Sequence, residues 1–160
     1  MRNHEFFAVR LEHEVPAFLR VLRAVPSDHF GYRPHEKSTS AGDLAWQIAS
    51  EMVSLIDLLK TGVADYRPAP RPSGSEEMAV TFEEAAKRAV ELARNIDGDR
   101  WKSPGKFLMQ GQLAWEASVA EIAWGFLFDL VHHRGQLSVY LRPMGAKVPR
   151  IYGPSGDERD

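Results

Sequence analysis

Cysteine is absent from this 160-residue chain. Its absence excludes disulfides, thiolate metal ligands and a cysteine nucleophile, so any metal ion must be held by nitrogen and oxygen ligands. An excess of basic charge is also absent, because 20 basic side chains stand against 22 acidic ones and the formal net charge is -2. Such a chain has no overall field to attract phosphate backbones, so we do not expect nucleic acid as a partner.

Long hydrophobic runs are missing as well. No apolar segment approaches the roughly 20 residues that a membrane-spanning helix needs. The first residues include Glu5, Glu12 and Glu14, where a signal peptide would be apolar. We therefore expect a cytoplasmic protein without a membrane partner. The hydrophobic content of 44% is enough for the core of one domain over residues 1–160.

The hydrophobic periodicity predicts an all-α fold, a four-helix bundle. Apolar residues recur three, four or seven positions apart over residues 3–25. Pro16 lies inside this segment and removes one backbone hydrogen bond, which predicts a kink or a break. Ser40 with Asp43 is typical of the start of a second helix, which should end near Gly62.

A long crossover loop is predicted between the second and third helices. Residues 63–80 contain several prolines and are too long for a simple turn. Thr81 and Glu84 have the spacing of a capping box, which predicts that the third helix begins there and ends at Gly98.

The fourth helix is predicted over residues 117–141, followed by an irregular tail over residues 143–160. In the loop before this helix, residues 107–109 are assigned to a short extended piece. Isolated histidines in the first helix and the loops, His4 among them, are expected to be solvated.

Aromatic side chains predict a homodimer. A monomeric bundle of this size needs less aromatic surface than this chain carries, so part of it is expected to lie in an apolar interface between two copies. The residues that support this prediction are Trp46, Phe107, Met109, Trp115 and Trp124.

Two of the apolar helix stripes are interrupted by polar pairs. Gln47 and Glu51 lie four apart in the second helix, and Asp129 and His133 lie four apart in the last. Residues four apart share a helix face, so both pairs can converge on one point between facing helices. Imidazole, carboxylate and amide ligands are compatible with Zn, Ni, Fe or Mn. The alternative is a metal-free polar network that fixes the helix register.

The end of the last helix resembles a family signature. The run HHRGQL over residues 132–137, with YLRPMGAKVPRIYGPSGDE after it, is similar to the C-terminal signature of the DinB/YfiT-like superfamily. The segment LAWQIA over residues 44–49 and the long crossover extend the similarity over nearly the whole chain. The resemblance implies a metal-dependent enzyme of unknown substrate, such as a thiol S-transferase, an isomerase or a hydrolase. The competing hypothesis is a metal-free bundle with a binding or stress-associated role.

The resemblance also implies a metal site that has lost histidines. Members with a full site hold the metal with one histidine on the second helix and an H-x-x-x-H pair on the last. By position, His133 matches the final ligand, Asp129 replaces the first histidine of the pair, and Gln47 replaces the histidine of the second helix. Such a ligand set should bind a metal weakly. The residues expected around these ligands are Glu51, Gln136 and Arg134, and Glu51 is alternatively a fourth ligand. Arg134 is expected to pair with an acid such as Glu51 or a carboxylate of the tail.

Overall fold

The helices and strands of the computed structural model, which describes residues 1–159, show a mostly helical molecule with one small sheet. The α-helices are α1 (Asn3–Ala24), α2 (Ala41–Thr61), α3 (Ser75–Asn95), α4 (Gly98–Lys102) and α5 (Val119–Leu141). The strands are β1 (Val63–Tyr66), β2 (Pro104–Met109) and β3 (Gln112–Ser118). The predicted all-α class is therefore wrong, and a four-helix bundle is an incomplete description of the molecule.

The three strands form one sheet in the order β1-β2-β3. β1 runs parallel to β2, and β2 and β3 are antiparallel. The β2–β3 hairpin turns through Gln110 and Gly111, whose φ angles are 53° and 82°. Two consecutive residues with positive φ are typical of the two-residue turn that matches the twist of paired strands. The extended piece predicted over residues 107–109 is the end of β2.

The start of α3 corrects the predicted capping box. The helix begins at Ser75, and Thr81 lies inside it, where its Oγ1 donates to the carbonyl of Glu77 at 2.9 Å. The segment between these positions contains neither proline nor glycine and buries Met78 and Ala79 completely. Burial of two apolar side chains on the core side favours six more helical residues than the capping pattern indicates.

Other helix boundaries follow the sequence more closely. α2 begins after Ser40, whose side chain accepts from the backbone nitrogen of Asp43, and it ends at Gly62 with φ of 80°, so these predictions are confirmed. α1 continues through Pro16 without a break. None of the helices within residues 1–159 is both apolar and long enough to cross a membrane.

The packing of the helices places α2 beside α5. α1 and α2 both pack against α3, and the opposite side of α2 contacts α5 and β1. The core between these elements contains Phe18 and Phe82, whose ring centroids lie 4.8 Å apart. After a short 3-10 helix at Arg142–Met144, the tail is irregular as predicted through residue 159, and Val148 and Ile151 pack against the core; residue 160 lies outside the described residues.

Candidate metal centre

Four polar side chains from α2 and α5 meet where the two helices face each other. Gln47 and Glu51 project from α2, and Asp129 and His133 project from α5, each pair one helical turn apart. Glu51 is only 6% exposed, His133 is half-buried, and Asp129 lies at the solvent edge. The structure thus brings together all four residues of the two polar pairs.

The Nε2 atom of His133 is the centre of this cluster. It lies 2.9 Å from the amide nitrogen of Gln47, 3.2 Å from Asp129 Oδ2 and 3.8 Å from Glu51 Oε1. The same Gln47 amide nitrogen donates to Glu51 Oε1 at 2.8 Å. Three polar groups therefore surround a single imidazole nitrogen.

The other ring nitrogen of His133 determines what Nε2 can do. Nδ1 lies 3.4 Å from Oε1 of Gln136, whose amide nitrogen donates to the hydroxyl of Tyr140 at 3.1 Å. Because an amide oxygen only accepts hydrogen bonds, the Gln136 contact favours the ring proton on Nδ1, whereas the Asp129 carboxylate favours it on Nε2. In the Nδ1–H tautomer, Nε2 presents its lone pair to the same space as the Asp129 carboxylate. Two electron-rich atoms that face each other favour a cation or a proton between them.

Glu51 adds a second unbalanced group. Its Oε2 is buried and has no hydrogen-bond partner among residues 1–159. Burial raises the pKa of Glu51 from 4.5 to about 8, the hydrogen bond from Gln47 acts in the opposite direction, and the nearby Asp129 carboxylate raises it further. Without a cation in the cluster, Glu51 therefore keeps its proton at neutral pH.

The donor atoms match the requirements of a divalent metal ion. Glu51, Asp129 and His133 each offer one ligand atom, and these atoms lie within 4.8 Å of one another. Two carboxylates and one imidazole form a nitrogen and oxygen set that binds first-row divalent ions, and the unpartnered Glu51 oxygen is available to such an ion. Gln47, by contrast, turns its amide nitrogen toward His133, and an N–H donor is not a metal ligand.

Glu51 is therefore better placed as a ligand than Gln47. The resemblance matches Gln47 to a histidine, so the sequence predicts Glu51 beside the metal ligands or as a fourth ligand. The structural signal is burial, since the Glu51 carboxylate lies deeper than that of Asp129. Gln47 instead orients Glu51 and His133 by donating to both.

A pocket of about 200 Å³ opens beside Glu51 and Asp129. Its walls are mostly aromatic, formed by Phe107 and Trp115 from the sheet and Phe126 from α5. Trp115 lies so close to α5 that a Cβ on Gly125 would be 2.5 Å from the indole ring, so position 125 requires glycine. Sequence reasoning assigned the two sheet aromatics to a dimer surface and missed this wall. The alternation of Leu113, Trp115 and Ala117 with other residues is the strand signal that could have revealed it.

Tyr66, at the end of β1, is another neighbour of Glu51 that the sequence did not reveal. Burial raises the pKa of the Tyr66 phenol to about 12, and the Glu51 carboxylate acts in the same direction. Tyr66 therefore stays protonated and neutral at physiological pH.

Arg134 belongs to a different cluster on the other side of α5. Its Nη1 donates to Glu14 Oε2 at 2.6 Å, and its Nη2 donates to the Tyr152 hydroxyl at 2.6 Å. Arg134 pairs with an acid as expected, but the acid is Glu14 and not Glu51 or a tail carboxylate, because successive residues of a helix point about 100° apart and Arg134 faces α1. His4 is likewise buried, with Nδ1 2.9 Å from the carbonyl of Ala93, and is not solvated as expected.

Comparisons with known proteins agree with this architecture. The model of the DinB family matches residues 3–159. A crystal structure of a DinB-like protein from Bacillus cereus is similar with a TM-score of 0.74 and 16% identity, covering 91% of this chain and 95% of that one. The DinB-like protein YjoA from Bacillus subtilis gives a TM-score of 0.70 and 16% identity, covering 96% and 99%. None of the curated proteins matches the chain significantly.

Proposed function

The chain belongs to the DinB family, and from that premise we propose that it is a metal-dependent enzyme whose divalent ion is held by Glu51, Asp129 and His133. The observation that carries the proposal is the unpartnered, buried Oε2 of Glu51. A second carboxylate and an imidazole lone pair face the same space. Zn, Ni, Fe and Mn are the ions that this donor set accepts.

Some residues of the cluster would bind the metal ion, and others would orient those ligands. When bound, a divalent ion supplies Lewis acidity, which lowers the pKa of a coordinated water and polarises a substrate oxygen. Glu51 has to lose its proton before it can bind a cation, so metal affinity should rise with pH up to about pH 8. Gln136 would orient the His133 ring through its contact with Nδ1.

The pocket beside the cluster indicates the kind of substrate. Its aromatic walls provide an apolar surface for a small molecule, and the acids Glu51 and Asp129 lie at its polar end. Among residues 1–159 no basic side chain lines this pocket. We infer a small, mainly apolar substrate that reaches the metal with a polar group, in a transferase, isomerase or hydrolase reaction.

A second candidate function rests on the Gln47 amide. Its nitrogen donates to both His133 and Glu51, which satisfies the imidazole lone pair without a metal. In that case the cluster is a structural network, and the protein has a binding or stress-associated role without catalysis.

Metal analysis separates the two functions. We expect the protein, purified without an affinity tag, to bind one Zn(II) or Ni(II) per chain in a calorimetric titration. His133→Ala should lose this binding, whereas His132→Ala is a matched control, because His132 is the exposed neighbour outside the cluster. Equal binding by both variants, or no binding by the wild type, would contradict the proposed metal centre.

A further inference from the structure

The exposed face of α5 carries apolar residues where a surface helix would carry charges. Phe128 is 67% exposed and Val139 is 72% exposed. They lie eleven positions apart, about three turns, and so point in nearly the same direction. The exposed residues along this stripe are Glu121, Phe128, His132, Gly135 and Val139, with Arg142 directly after the end of the helix.

Large apolar side chains therefore lie on the exposed face of α5 as well as on the faces that it buries against α1, α2 and the sheet. Neighbouring exposed apolar side chains mark an interaction surface, so this face of α5 lacks its partner. The apolar area also extends sideways, because Trp124 stacks on Phe128 at 5.8 Å and contacts the half-exposed Phe6 at 5.9 Å.

Gly135 is unexplained within a single chain. It lies in the interior of α5, where glycine costs about 1 kcal/mol relative to alanine. A Cβ at this position would meet no atom within 4 Å, and its φ is not positive, so neither a close contact nor the backbone requires glycine there. The missing side chain leaves a notch in the middle of the exposed stripe.

We propose that this stripe is the interface between two copies of the chain, in which α5 packs antiparallel against the partner's α5. The order of residues along the stripe is self-complementary in this arrangement. If Glu121 lies opposite the partner's Arg142, then Phe128 lies opposite the partner's Gly135 and fills the notch. The two-fold axis repeats each contact, so the interface contains two ring-in-notch contacts and two contacts between Glu121 and Arg142, which also pairs with Asp157 of its own chain at 2.8 Å.

A parallel arrangement fits the same stripe poorly. It would place Glu121 beside the partner's Glu121 and Phe128 against the partner's Phe128, leaving Gly135 opposite another glycine. Like charges repel, and two notches face to face leave a void. Charge and shape therefore both select the antiparallel arrangement and a second copy of this chain as the occupant.

The proposed interface differs from the dimer surface that the sequence predicts. Trp46 and Phe107 are used within the chain, since Trp46 donates to the carbonyl of Ala69 and Phe107 packs edge-on against Phe126 at 5.3 Å. Of the aromatic residues expected in the interface, Trp124 lies beside the α5 stripe.

Sedimentation velocity tests whether this face pairs. At micromolar concentration the wild type should sediment at twice the 18.0 kDa of one chain. Phe128→Glu should weaken the dimer at least tenfold, whereas Leu113→Glu, which changes a 56% exposed side chain on β3, should leave it unchanged. A monomeric wild type would overturn the proposal and leave the face for another partner, and so would a dimer that Phe128→Glu does not weaken.

The Gly135→Leu variant tests whether Gly135 is needed for the dimer contact and not for the fold of the chain. Leucine should raise helix stability, because it is a far better helix former than glycine, yet it should weaken the dimer at least tenfold by filling the notch. Circular dichroism reports the first effect and sedimentation the second. A Gly135→Leu dimer as tight as the wild type would show that Phe128 does not occupy this position.

The absence of cysteine allows a direct test of orientation. Glu121 and Arg142 lie 21 positions apart, about 32 Å along a helix. In the antiparallel dimer, Glu121→Cys mixed with Arg142→Cys should cross-link through a short thiol reagent, and neither variant alone should do so. Cross-linking of each variant with itself would indicate the parallel arrangement and overturn the proposal.

Discussion

His133 and Arg134 are adjacent in the chain, but they enter two buried polar clusters of opposite character. Arg134 is 2% exposed, and its charge is matched by Glu14, with the Tyr152 hydroxyl bridging the pair. The guanidinium also lies 4.6 Å from the centroid of the Phe18 ring. The α1 side of α5 is thus a closed network, in which the half-exposed Arg10 also pairs with Glu14 at 3.3 Å and Arg134 Nε is the one buried polar atom without a hydrogen-bond partner among residues 1–159.

The cluster of His133 is open by comparison. It contains two acids and no basic side chain among residues 1–159, and one of its carboxylate oxygens lacks a partner. The comparison shows that burial of a charge is not itself a sign of function. A cluster balanced by its own chain contributes to the structure, whereas an unbalanced cluster has the capacity to hold a cation from outside.

Disrupting the closed cluster should have the largest effect. Arg134→Met leaves the buried Glu14 with only the half-exposed Arg10, 3.3 Å away, as a counter-ion and should lower the free energy of unfolding by about 3 kcal/mol. Chemical denaturation measures this loss. Tyr152→Phe is the mild control and should cost about 1 kcal/mol, because the ion pair remains. A loss below about 1 kcal/mol for Arg134→Met would show that this cluster is not a structural pair.

The open cluster should respond to pH in a way that the closed one does not. The pKa of Glu51 is raised by burial from 4.5 to about 8 in the folded, metal-free protein. Between these values the folded state holds a proton that the unfolded state has lost. The stability contributed by this proton is therefore complete below the unfolded pKa and disappears as the pH rises through about 8, at about 1.4 kcal/mol per pH unit.

Glu51→Gln should remove this pH dependence, because the amide stays neutral. In the presence of a chelator, the variant should gain stability over the wild type as the pH rises from about 5 to about 9. Unfolding curves of both proteins across this range provide the measurement. Parallel pH profiles would mean that Glu51 is not a buried acid with a raised pKa.

Adding histidines to the His133 cluster should increase its affinity for a metal ion. The Gln47→His, Asp129→His double variant should bind Zn(II) more than about 100-fold more tightly than the wild type, which exceeds the effect of changes around a metal site. Imidazole replaces an amide that points its N–H groups at the site, and it restores the histidine pattern of the family. Calorimetric titration gives both affinities, with Lys60→His, at an exposed position near the end of α2, as a control for added histidine outside the cluster. Equal affinities would place the metal elsewhere.

The sequence predicts the open cluster better than its surroundings. Polar pairs four residues apart inside apolar stripes are a local pattern, and α2 and α5 do bring Gln47, Glu51, Asp129 and His133 together. The partner of Arg134 could not be predicted in the same way, because Glu14 lies 120 positions earlier and periodicity does not show which helix packs on a given face. β1 was missed because four residues are too few for a periodic signal, and its pairing with β2 is non-local.

Anomalous diffraction from crystals soaked with Zn(II) or Ni(II) tests the central claim most directly. The account predicts one strong peak within bonding distance of Glu51, Asp129 and His133, about 2.0–2.2 Å from each ligand atom, and none beside Arg134 and Glu14. A metal peak away from these three ligands would contradict the claim that this unbalanced cluster is the metal centre, as would a cluster still closed by the Gln47 amide at saturating metal.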